Sequence, residues 1–144
     1  MQFENILCVC TGNICRSPLA EAYLRKAMPS ARVASAGIAA LSGHGLDSVA
    51  ASIAEREDLE LRDHAARQIT AEMVSDHELI LVMERGQRNW ISAQFPHARG
   101  RVFLISRWED DEDVSDPYRR SAEFFDAVYS RMVSCLDQWV KRIA

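Results

Sequence analysis

The chain lacks a long basic run, and its 144 residues carry a net charge of −4. Nucleic acid or an anionic membrane surface is therefore not expected as its partner. No apolar stretch approaches the ~20 residues a membrane helix needs. The first residues show no signal-peptide pattern, so membrane insertion is not expected either. Repeats and flexible linkers are absent too, and residues 1–144 read as one domain with a sizeable core. Cysteine is scarce, with Cys8, Cys10, Cys15 and Cys135 only. Three of these crowd one segment, which is no disulfide framework and fits a reducing cytoplasm. No second Cys or His pair stands at ligand spacing, and Arg16 would oppose a cation, so a metal site is not expected.

What is present is concentrated in residues 6–18, Ile-Leu-Cys-Val-Cys-Thr-Gly-Asn-Ile-Cys-Arg-Ser-Pro. Cys10 stands six positions before Arg16, with Gly12-Asn13 between them. A loop of this length can curl until its backbone N–H groups and the Arg16 fork point at one spot. A tetrahedral oxyanion fits there, with the Cys10 sulfur beneath it. Nearby cations and a helix N-terminus favour a thiolate, so one loop would supply both the anion site and the nucleophile. The preceding apolar run, Phe3 to Cys10, predicts a strand buried on both faces. Ser17 is expected to cap the following helix and Pro18 to open it, with Leu19, Ala22, Tyr23 and Ala27 as its inward stripe. Ser17 could also donate to the Cys10 thiolate and help it leave in a second chemical step. Strand, glycine-containing loop and helix N-terminus make a ready anion site.

Further along, strands are predicted at Arg32–Ala36, Glu78–Met83 and Val102–Ile105. Helices are predicted at residues 47–58, Glu84–Gln94 and Ser121–Ile143. The last has Phe124, Phe125, Val128, Met132, Leu136, Trp139 and Ile143 near a 3.6-residue period. Alternating strands and helices argue for an α/β fold, a parallel twisted sheet with helices on both faces. Ligands in such folds sit at the carboxyl ends of strands, where Cys10 lies.

A phosphate ester attacked by Cys10 needs a proton for its leaving group. Asp116-Pro117-Tyr118 is the candidate source: Pro117 biases Asp116 away from helical geometry, and Tyr118 could wall a substrate ring. The acidic run Glu109–Asp113 would help to keep Asp116 protonated, or is a solvated loop. Cys8 and Cys135 read as core residues. Cys15, inside the loop, could form a reversible disulfide with Cys10 that guards it from over-oxidation, or could simply pack there. Asn13 could orient the loop through its side chain. His44, His64, His77 and His97 read as surface residues.

The run Cys10-Thr11-Gly12-Asn13-Ile14-Cys15-Arg16-Ser17-Pro18 resembles the phosphate loop of the low-molecular-weight protein tyrosine phosphatases. Asp116-Pro117-Tyr118 is similar to that family's general-acid loop. Ser35-Ala36-Gly37 and Ala66-Arg67-Gln68-Ile69 also look familial. The resemblance implies four parallel strands flanked by helices, with the phosphate loop between the first strand and the first helix. It implies a phosphocysteine on Cys10, phosphate held by Arg16 and the loop residues Thr11, Gly12, Asn13, Ile14, Cys15 and Ser17, and Asp116 as acid then base. No metal or other cofactor is implied. Leu41 stands where many members place a cleft aromatic, and Arg119 follows Tyr118 where vertebrate members have a second tyrosine. Both features resemble the bacterial branch paired with autophosphorylating tyrosine kinases of capsule or exopolysaccharide export. That branch implies a cytoplasmic protein, expected as a monomer, acting on a phosphotyrosine protein.

Three other readings share the loop. An arsenate reductase needs further cysteines to relay a disulfide, and none lies between Cys15 and Cys135. A phosphotyrosine-binding module without turnover would not need Cys10, Arg16 and Asp116 together. A phosphocysteine carrier in sugar transport would not need Asp116.

Overall fold

The computed structural model describes residues 3–61 and 63–144. Four strands, β1 (Asn5–Cys10), β2 (Arg32–Gly37), β3 (Leu79–Val82) and β4 (Val102–Leu104), form one parallel sheet in the order β2-β1-β3-β4. The α-helices among the described residues are α1 (Arg16–Ala27), α2 (Ser48–Arg56), α3 (Ala71–Asp76), α4 (Arg85–Gln94) and α5 (Ala122–Ile143). This is the four-stranded parallel sheet flanked by helices that the alternating pattern predicts.

The strand period of two divides the core. Ile6, Cys8, Cys10, Leu79 and Leu81 face one side and pack with α1, α2 and α5. Leu7, Val9, Ile80 and Val82 face the other, against Val74 of α3 and Ile91 of α4. Both faces are covered, which is why β1 and β3 read as continuous apolar runs rather than alternating ones. Ile6, Leu7, Ile80 and Leu81 are fully buried. Leaving water stabilises each by roughly 1.5–3 kcal/mol.

The remaining differences from the sequence reading have local causes. On α1, Ala20 and Leu24 are buried and Ala27 is exposed. Burial runs almost unbroken from Arg16 to Leu24, so no narrow apolar stripe marks this helix. Helix α3 has a single fully buried residue, Val74, and is set by the Thr70 hydroxyl accepting from Met73 N–H at 3.2 Å. Such a short element carries no readable period. The 3-10 turns at Pro96–Arg101 and Ile105–Trp108 are likewise too short for a readable period. Helix α5 follows its period, capped by Ser121 and burying Phe125, Val128, Met132, Leu136, Trp139 and Ile143.

Strand order places the site. The chain passes from β1 to β2 on one side, then returns to β3 on the other. The crossovers diverge at the carboxyl end of β1, and a crevice opens there. Cys10 is the last residue of that strand.

Candidate active site

Residues 11–15 link β1 to α1, and the carbonyls of Cys10 to Ile14 are all engaged by groups outside the loop. Cys10 O accepts from Ile38 N–H at 3.1 Å, Thr11 O from Ala39 at 3.0 Å, Gly12 O from Leu41 at 3.1 Å and Ile14 O from Asp47 at 3.0 Å. Asn13 O lies 2.7 Å from His64 Nε2. A carbonyl only accepts, so His64 carries its proton on Nε2. In a planar trans peptide the N–H opposes the C=O, so outward carbonyls turn the amides of Thr11 to Cys15 toward the sulfur side. Asn13 N–H already reaches Cys10 Sγ at 3.3 Å. Such a nest of amides binds anions.

Asn13 is buried and holds this curve with φ 59°, a left-handed value that asparagine tolerates better than most residues. Its Oδ1 accepts from Arg67 N–H at 3.0 Å, and its Nδ2 donates to Ser17 Oγ at 2.8 Å and Ser35 Oγ at 3.0 Å. Ser35 in turn donates to Glu21 Oε1 at 2.5 Å. With Asn13 donating to it, the Ser17 hydroxyl is free to donate to Cys10 Sγ, 2.9 Å away. The expected cap by Ser17 is therefore not made. Helix α1 starts at Arg16 with no side-chain cap, and Pro18 is its third residue rather than its first. The Ser17 hydroxyl lies between Cys10 Sγ at 2.9 Å and Ala36 O at 3.5 Å instead, and the open helix end adds a positive dipole to the site.

Gly37 closes the loop from the side of β2. A Cβ there would lie 2.4 Å from Thr11 O and 3.1 Å from Asn13 N. Only glycine lets the two backbones approach this closely.

Arg16 is 2% exposed. Its Nη1 donates to Glu84 Oε2 at 2.6 Å and Val114 O at 2.7 Å, and its Nη2 lies 3.8 Å from Asp116 Oδ2. Half the fork is thus anchored, while the other half faces the crevice. Gln87 joins the same frame, donating through Nε2 to Thr11 Oγ1 at 3.1 Å. Asp116 is held by its Oδ1 accepting from Tyr118 N–H at 3.0 Å. The acidic run before it is largely occupied elsewhere. Asp110 pairs with Arg131, Glu112 with Arg85, and Glu109 accepts from Ser134 and Cys135.

Cys10, Arg16 and Asp116 line one cavity of about 180 Å³, together with Thr11, Gly12, Ile14 and Cys15. Leu41 and Tyr118 form its exposed apolar walls. The side chains of Asn13 and Ser17 stand behind the cavity wall and hold the loop rather than line it. No group of three or more potential metal ligands occurs among the described residues.

The sequence profile of the low molecular weight phosphotyrosine protein phosphatase family matches residues 5–144. The chain belongs to this family. It is 43% identical over 141 residues to the low molecular weight protein-tyrosine-phosphatase Wzb of Salmonella typhimurium, covering 98% of this chain and 95% of that one. It is 40% identical over 144 residues to the phosphatase Etp of Escherichia coli K12, covering 100% and 97%. The crystal structure of the tyrosine phosphatase Wzb from Escherichia coli K30 in complex with sulphate superposes with a TM-score of 0.93 at 40% identity, over 98% of this chain and 99% of that one. The protein is accordingly a protein-tyrosine-phosphatase of the bacterial low-molecular-weight type.

Several parts of the phosphatase site were not read from its sequence. His64 reads as a surface residue in the sequence, yet it braces the Asn13 carbonyl. Glu84 and Gln87 form the capping box of α4, a helix-start signal that says nothing of the site, and their roles, like that of Glu21, become visible only by contact with Arg16, Thr11 and Ser35. Cys8 and Cys135 are buried core residues, as read. Burial, with Asp47 next in importance, pushes the Cys15 thiol well above the usual range. Burial and a hydrogen bond to Glu109 push Cys135 up to about 12.

Proposed function

We propose that this phosphatase hydrolyses phosphotyrosine through a phosphocysteine intermediate on Cys10. The observation that carries this reading is the ring of outward carbonyls, which leaves amides and one side of the Arg16 fork around the cysteine sulfur. Three phosphoryl oxygens accept from these donors, and charge developing on them in the transition state is stabilised without reorganisation. The Cys10 thiolate attacks phosphorus and forms the S–P bond as the P–O bond to the tyrosyl oxygen breaks. Asp116, as the carboxylic acid, gives its proton to that departing phenoxide. Its carboxylate then takes a proton from the water that attacks phosphocysteine, so the S–P bond breaks and inorganic phosphate leaves. Ser17 donates to the Cys10 sulfur as it departs. General acid–base help of this kind contributes roughly 100- to 10,000-fold.

Para-nitrophenyl phosphate tests the mechanism. Wild type should turn over with or without a chelator. Cys10→Ser should bind phosphate analogues without turnover, and Asp116→Ala should lose mainly kcat. Retained turnover in Cys10→Ser would overturn the proposal. An arsenate reductase is disfavoured because Cys135 is buried and its thiol resists ionisation, which makes it a poor relay.

The partner we propose is an autophosphorylating bacterial tyrosine kinase of capsule or exopolysaccharide export, met in the cytoplasm. Support comes from the relatives Wzb and Etp, both bacterial, and from Leu41 on the cleft wall. Cys10→Ser should trap such a kinase in its phosphorylated form from the native host. Capture independent of kinase phosphorylation would count against this partner.

A further inference from the structure

Two cations directly after the cleft-lining Tyr118 form no ion pair among the described residues. Arg119 and Arg120 follow Tyr118 on a turn closed by Arg120 N–H donating to Pro117 O at 2.9 Å. Both are exposed, and among the described residues neither pairs with a carboxylate. Of the acids nearby, Glu84 and Asp116 face Arg16, Glu112 faces Arg85 and Asp110 faces Arg131, while Glu123 in the first turn of α5 forms no ion pair with either arginine. Each free guanidinium instead lies over a ring, Arg119 at 5.2 Å from the Tyr118 centroid and Arg120 at 4.1 Å from that of Phe124. Stacking steadies the planar fork and leaves its edge N–H groups open to solvent. Arg119 has φ 63°, a backbone region that glycine or asparagine enters more readily, yet the position holds a long cation.

We propose that Arg119 and Arg120 form a subsite for an acidic residue flanking the phosphotyrosine of the substrate chain. The proposal rests on the phosphotyrosine reading above. With the phosphoryl group on the loop, the substrate ring lies between Leu41 and Tyr118. A peptide backbone leaving the mouth across Tyr118 would pass the Arg119 fork, which lies over that ring. A flanking carboxylate can accept two parallel N–H bonds there. The protein as a whole is acidic, with net charge −4, so a preference for acidic peptides would have to come from this local pair. Exposed charge pairs are screened, and each is worth about a one-and-a-half- to fivefold effect in an equilibrium or rate ratio.

The test uses two phosphotyrosine peptides that differ only in glutamate or alanine on either side of the phosphotyrosine. Their kcat/KM is measured for the wild type and for the double variant Arg119→Glu/Arg120→Glu. Para-nitrophenyl phosphate, which has no flanking chain, is the reference. The wild type should favour the acidic peptide about three- to tenfold at low salt, with the preference fading as salt rises. The double variant should favour the alanine peptide. Equal kcat/KM for the two peptides in the wild type, or an unchanged preference in the double variant, overturns the subsite while phosphotyrosine hydrolysis stands. No turnover of either peptide beside brisk para-nitrophenyl phosphate hydrolysis overturns both.

Discussion

Gly37→Ala adds a single methyl group and isolates the role of close backbone packing. The new Cβ would stand 2.4 Å from Thr11 O, where ordinary contact begins at 3.4 Å. Strand β2 cannot retreat easily, because Gly37 N–H donates to Arg67 O and Gly37 O accepts from Ile69 N–H, both at 2.9 Å. The phosphate loop must therefore yield, by about 1 Å, a displacement able to cost about 100-fold when it falls on catalytic groups. Overpacking of this kind costs about 1–3 kcal/mol of stability. For a chain of this size that is a fall of roughly 2–12 °C in Tm. We predict a folded protein with a modestly lower Tm, a kcat/KM for para-nitrophenyl phosphate lower by about 100-fold, and a weaker inhibition constant for inorganic phosphate. Steady-state kinetics, phosphate inhibition and thermal melting are measured on the same preparation. Activity and phosphate affinity within about threefold of wild type would show that the loop does not need this approach, and the reasoning would fail.

Three further outcomes follow from contacts in the site. Ser17→Ala removes the donor 2.9 Å from Cys10 Sγ, so kcat should fall about 10- to 100-fold, with phosphocysteine accumulating as a burst in stopped-flow traces. An equal slowing with no burst would place the loss in the first chemical step. His64→Ala leaves Asn13 O without its 2.7 Å partner, so phosphate affinity should weaken by about 5- to 100-fold, and an unchanged phosphate inhibition constant would refute the brace. Cys15→Ser should turn thiol-reversible inactivation by peroxide into irreversible loss. Burial raises the Cys15 thiol above its usual range, so it is protonated at neutral pH, and its thiolate fraction grows as pH rises. Closure of the guarding disulfide in the wild type should therefore quicken with increasing pH, as read by free-thiol titration. Equal recovery of wild type and Cys15→Ser would remove Cys15 from this role.

The sequence by itself carried the parts of the protein that depend on short spacing and local pattern. Cys10, Gly12 and Arg16 lie within one turn of chain, so their convergence needs only a curled loop between a strand and a helix. The strands β1 and β3 were legible because burial on both faces leaves no polar position in the run. Helix α5 was legible because one long face repeats at 3.6 residues. Asp116 was legible only by its motif, since nothing local ties it to a loop about a hundred positions earlier. Tertiary structure decided the rest. It took Ser17 from the helix cap to the cysteine because Asn13, in a left-handed turn, supplies a donor to the hydroxyl. It brought Gly37, His64 and the Glu84–Gln87 helix start to the loop from three separate segments. These residues act through single atoms placed by the strand order, and even the Glu84–Gln87 capping spacing marks a helix start rather than a contact with the loop. A loop can name its own nucleophile, but the partners that hold its carbonyls outward are chosen by topology.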